Sequence, residues 1–135
     1  MPTNTPNVVL RSEETDGVVS AIEVMSPPGF KGPFLHRHAF DEAFYVLEGE
    51  LTFQLRDEVF TRSAGELAFA ARDVPHTYAN HSGSPARALI VCTPAGFERY
   101  FARMRAKREG AEPPSWALQD IPETIRVGPQ IGEDA

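Results

Sequence analysis

The sequence predicts an all-β fold of short strands, a sandwich or barrel, with one C-terminal α-helix and an extended tail. Three observations carry that expectation. Short runs rich in β-branched and aromatic residues recur at close spacing between residues 8 and 92, the pattern of a sandwich or barrel. Twelve prolines and ten glycines in 135 residues supply the turns such a fold needs. A helical period enters after Thr93-Pro94. The chain is long enough to bury a core without staples and is expected to be a single domain, with the barrel over residues 8–92, the helix over 94–109 and the tail over 110–135.

The first residues, to about Asn7, should be loose. Val8 to Leu10 and Val18 to Val24 flank an Asp16-Gly17 turn signal and read as a hairpin at one edge. Met25 to Pro33 holds Pro27-Pro28-Gly29 and Gly32-Pro33, which break regular structure. Ala43 to Leu47 and Glu50 to Leu55 read as two strands of a hairpin joined at Glu48-Gly49, and Leu51, Phe53 and Leu55 alternate with polar residues. Strands over Val59 to Arg62, Glu66 to Ala70, Thr77 to Asn80 and Ala86 to Cys92 complete the series.

After Cys92 the period changes. Phe97, Tyr100, Phe101 and Met104 form one stripe of a helix, with Thr93 placed as its cap and Pro94 in its first turn. The helix should cover a barrel flank or mouth. The proline-rich tail scatters Trp116, Leu118, Ile121, Ile125, Val127 and Ile131 in a non-helical pattern and should drape over the domain or a partner subunit.

Composition excludes several classes of function. A net charge of −6 and a pI near 5.2 argue against nucleic acid as a partner, because phosphate binding needs a basic face. Residues 1–7 carry no apolar signal core and no stretch approaches membrane-spanning length, so no membrane partner and a cytoplasmic location are expected. The single cysteine, Cys92, rules out an internal disulfide and fits a reducing compartment.

The chemistry concentrates in two stretches. His36-Arg37-His38-Ala39-Phe40-Asp41-Glu42 places two imidazoles at i and i+2, on one face of an extended chain, with a carboxylate four residues later. Alone, that pair is also what two ordinary histidines before a strand look like. The second stretch, Gly65 to Asn80, adds His76 after a charged, proline-containing turn, so three of the four histidines fall in matching strand-and-turn settings. Imidazole nitrogens with a carboxylate suit a divalent transition metal rather than calcium or magnesium. His81, beside Ser82-Gly83, reads as exposed, and Asn80 as a turn or hydrogen-bonding residue.

These residues resemble the two signatures of the cupin superfamily, over roughly residues 30 to 92. His36, His38 and Glu42 stand at the family's ligand spacing with Gly49 closing the first signature, and Gly65, His76 and Asn80 follow the second. Phe30 stands where the first signature opens with glycine, and Ala71 and Asp73 replace the usual proline and glycine of the second turn. These departures bear on loop shape, not on the ligands.

The resemblance implies a double-stranded β-helix, or jelly roll, holding one divalent ion (iron, manganese, nickel, cobalt, copper or zinc) on His36, His38, Glu42 and His76. It is similar in style to quercetinase-like dioxygenases and to cupins of aromatic polyketide pathways, which implies a small aromatic or polyphenolic substrate, with Glu42 as ligand and proton acceptor. The same donors would also serve a closed tetrahedral site. Phe34, Phe53, Phe69 and Tyr78 are candidates for the substrate pocket, although each would serve equally as core. A homodimer is expected. The alternatives are a sugar-phosphate isomerase or epimerase type of cupin, disfavoured by the turn or outward positions of Arg37, Arg72 and Arg87, and a binding module without turnover.

Overall fold

The computed structural model describes residues 2–133. In chain order its strands are β1 (Thr5–Leu10), β2 (Ser20–Ser26), β3 (His36–His38), β4 (Asp41–Glu48), β5 (Glu50–Leu55), β6 (Glu58–Ser63), β7 (Leu67–Ala70), β8 (His76–Ala79), β9 (Ala86–Thr93) and β10 (Thr124–Arg126), with helix α1 (Glu98–Glu109) before β10. They form two antiparallel five-stranded sheets, ordered β1-β2-β9-β4-β7 and β10-β3-β8-β5-β6. This is the expected jelly roll: consecutive strands repeatedly leave one sheet for the other, so the two sheets close around one core.

Alternation fills that core. On β9, Ala86, Ala88, Ile90 and Cys92 are buried while their neighbours are half-buried, and on β4 the inward row is Glu42, Phe44 and Val46. Ile22 and Val24 from the first sheet meet Leu51 and Phe53 from the second. Side chains of this size contribute about 1.5–3 kcal/mol each when fully buried. The Phe44 and Phe53 rings lie 5.3 Å apart, edge to face, and join the two layers.

The N-terminal hairpin forms as expected, β1 pairing with β2 at the sheet edge. From Asn4 to Asn7 the chain is not loose: strand pairing begins at Thr5, and Asn4 is buried with its side chain bonded to Ser26 and Tyr78, whereas Met1 lies outside the described residues.

The expected β4–β5 hairpin does not form. β4 pairs with β7 and β9, whereas β5 pairs with β6 and β8, so Glu48-Gly49 is a corner between sheets. Gly49 takes φ +75°, and a Cβ there would come within 2.6 Å of the Pro85 carbonyl oxygen. A tight turn signal marks both a hairpin and a corner; long-range pairing decides which.

The helix also starts later than Pro94. Thr93 is still a strand residue, opposite Asp41, and Gly96 at φ +136° intervenes before Glu98. The helix stops at Gly110 in the left-handed conformation, as its glycine signals. It packs on β1 and β2, where Arg105 and Arg108 donate to the carbonyls of Pro6 and Asn4. The tail folds back on its own domain: β10 pairs with β3, placing Thr124 opposite His38 and Arg126 opposite His36.

Candidate metal centre

β3 presents His36 and His38 on its buried face, while Arg37 between them turns out to Asp73 at 3.7 Å. β8 opens with His76 directly opposite His36. Glu42 approaches from the other sheet, on the inward row of β4. One donor atom from each of the four lies within 4.8 Å of all the others, and all four residues are buried.

The imidazoles are oriented by backbone. Nδ1 of His36, His38 and His76 lies 2.7, 3.0 and 2.8 Å from the carbonyl oxygens of Phe34, Phe40 and Val74. An Nδ1–H donating to a carbonyl leaves the Nε2 lone pair free to act as a ligand. Nε2 of His38 and of His76 each stand 3.0 Å from Oε1 of Glu42. The His38 ring also stacks on Phe40, centroids 3.5 Å apart, which holds its plane.

That arrangement asks for a cation. Two imidazole lone pairs cannot both face a carboxylate at 3.0 Å without a proton or a metal ion among them. Burial pushes the Glu42 carboxyl up, but the hydrogen bonds and charges of His38 and His76 outweigh it and hold the group at about 2. Burial lowers the His76 imidazole, yet bonding to Glu42 leaves it raised on balance. His36, mainly through burial and then through its neighbour His76, falls to about 4 and stays neutral. In the metal-free chain a proton on His76 would relieve its own contact with Oε1 and leave the His38 lone pair facing that oxygen. A divalent ion would satisfy all four donors, so the residues fit the group.

One side of the donor cluster opens on a cavity of about 620 Å³, with His36 and Glu42 in its wall. Phe30, Phe44, Phe97, Phe101 and Met104 supply apolar lining, so the helix stripe read from the sequence forms part of the cavity wall. A mostly apolar pocket with a few convergent polar groups is the usual form of a small-molecule site.

The four pocket candidates separate. Tyr78 lines the cavity, its phenol pushed up by burial and then by the Glu42 charge, and Phe34 lies at the mouth. Phe53 does not reach the cavity; it is core, packed behind Phe44 and Tyr78. Phe69 points away altogether and is 51% exposed, because β7 turns Ala68 and Ala70 inward and Phe69 lies opposite Ala43 on the outer face.

Cys92 lies on the inward row opposite Glu42 but outside the donor group. His81 is exposed, and Asn80 is buried, donating to the Ser26 and Ser84 carbonyls. Missing from the sequence reading were Arg108 and Arg126, both in the cavity wall. Among the described residues no helix is long and apolar enough to cross a membrane.

The family described as "Cupin domain", Cupin_2, matches residues 22–92, which contain all four donors. No curated protein matches the chain. Among solved structures, a predicted oxalate decarboxylase from Thermotoga maritima superposes with a TM-score of 0.64 at 22% identity, over 67% of this chain and 80% of that one. The protein TT1209 from Thermus thermophilus gives 0.58 at 29% identity, over 69% and 83%. The polyketide cyclase RemF from Streptomyces resistomycificus gives 0.58 at 23% identity, over 67% and 64%. At 22% and 23% identity the likeness is one of fold.

Proposed function

The chain belongs to the cupin domain family, and from that premise we propose that it is a metal-dependent dioxygenase acting on a small aromatic or polyphenolic substrate, polyketides included. The observation that supports this is the opening of the His36, His38, Glu42 and His76 cluster onto an aromatic-lined cavity rather than into sealed core. A bound iron, manganese, nickel, cobalt or copper ion would supply Lewis acidity and redox chemistry there.

The protein residues divide the remaining work. His36, His38 and His76 would hold the ion through Nε2, and the carbonyls behind each ring keep them in register. Glu42 would be the fourth ligand. As the one carboxylate in the cavity wall among the described residues, it is also the acceptor for a substrate hydroxyl proton. Phe97 and Tyr100, stacked with ring centroids 5.3 Å apart, offer a flat apolar surface against which a planar substrate can lie.

The isomerase alternative loses the arginines of the turns and outer faces, which are engaged at the surface (Arg72 with Asp41, Arg87 with Glu23 and Glu48, Arg37 with Asp73), and keeps Arg108 and Arg126, which stand in a mostly apolar cavity wall. A homodimer remains part of the proposal, supported by Tyr45, Leu67 and Phe69 exposed on the outer face of the first sheet.

The test is oxygen uptake by protein loaded with each redox-active ion, screened against flavonols and polyphenols beside Glu42→Gln. Uptake that requires both metal and Glu42 is expected. Tight aromatic binding with no uptake under any ion would leave a binding module in its place.

A further inference from the structure

Arg126 lies directly opposite His36 in the β10–β3 pairing. Directly opposed residues of an antiparallel pair share a face, with Cβ atoms about 5 Å apart. His36 is a donor of the metal cluster, and both residues line the same cavity. The tail thus carries a guanidinium to the neighbourhood of the metal centre on the strand next to it.

The guanidinium is held but uncommitted. Its Cζ lies 3.5 Å from the centroid of the Phe34 ring. Stacking occupies the face of the group and leaves its N–H edge free, the geometry that grips a carboxylate with two parallel bonds. Among the described residues no carboxylate lies within salt-bridge distance of Arg126 and its side chain donates no hydrogen bond, unlike Arg37, Arg72 and Arg87.

The rest of the cavity has the same bias. Among the described residues its wall holds one carboxylate, that of Glu42, against two arginines, Arg126 and Arg108. Arg108 already donates to the Asn4 carbonyl, so Arg126 is the freer cation. In a protein of net charge −6, a cationic cavity attracts acids locally although the molecule as a whole repels them.

We propose that the substrate is an aromatic carboxylate: its ring system lies on the apolar wall, its acid group is gripped by Arg126 over Phe34, and its other end faces His36 and Glu42. This rests on the metal-centre proposal for the reacting end, whereas the acid grip depends on Arg126 alone.

The test is calorimetric titration of the zinc-loaded protein with 2-naphthoate and with 2-naphthamide, a neutral compound of nearly the same shape, in wild type, Arg126→Gln, Arg126→Lys and Arg37→Gln. The expected result is a preference for the acid of about tenfold or more in wild type and Arg37→Gln, abolished in Arg126→Gln and partly restored in Arg126→Lys. Equal binding of the two compounds by wild type, no binding of either, or a preference that survives in Arg126→Gln would overturn the proposal. Zinc content measured on the same samples, with the titrations repeated on metal-free protein, separates the two ideas. Normal zinc without acid preference sinks only the carboxylate grip, while failure to take up zinc on loading, with the Arg126-dependent preference intact, sinks only the metal centre.

Discussion

Nε2 of His76 lies 3.0 Å from Oε1 of Glu42, across 34 residues of sequence and from the opposite sheet. Because that contact raises the His76 pKa above 6.5, the metal-free protein retains a proton there at pH values where an ordinary imidazole has lost it. A metal ion must displace that proton. Affinity for zinc is therefore expected to rise with pH above 6.5, approaching one tenfold step per pH unit and levelling once His76 is neutral. Proton release measured by calorimetry in buffers of different ionisation heat checks this; a pH-independent affinity above 6.5 would contradict it.

Stability away from the metal has a separate anchor in Glu98. Its buried carboxylate accepts from Ser12 N, Ser12 Oγ and Gly96 N, each at 2.7 Å, and so ties the helix start to the N-terminal turn. Burial pushes its pKa up, but the bonds from Ser12 and Gly96 outweigh this and leave it lowered. A lowered folded pKa means that this stabilisation is present above the ordinary carboxyl value and is lost as pH falls through the folded one. Glu98→Ala strands three buried donors and should cost about 3 kcal/mol, read as a lower denaturation midpoint, with metal content per folded chain unchanged.

Ending the chain at Asp120 removes β10, the outer neighbour of β3. The strand carrying His36 and His38 then becomes a sheet edge, and part of the cavity wall, Ile121, Pro122, Thr124 and Arg126, is lost. Zinc affinity should fall by about tenfold, because two of the four donors sit on a less ordered strand. Unchanged affinity in the truncated protein would show that β3 needs no outer partner.

The shared face of His36 and His38 was legible in the sequence because the two-residue strand period is local. The convergence of Glu42, from the other sheet, and His76, from 34 residues beyond it, was implied only by the resemblance of the two stretches to the cupin signatures. Tyr78 could be placed by the same strand period, two residues beyond His76 on one strand. Phe69 could not, since nothing local shows which parity of β7 faces in. The partner of β5 and the late helix start depend on long-range pairing, to β8 and between Thr93 and Asp41. β10 is three exposed residues whose strand conformation comes from β3, not from their own pattern. That hid Arg126.

Elemental analysis of the purified protein beside His76→Ala, prepared identically, tests the metal centre most directly. The account predicts close to one iron, manganese, nickel, cobalt, copper or zinc ion per chain in the wild type, lost in the variant while the fold is kept. Metal retained equally by both, or absent from both after reconstitution with each ion, would contradict it.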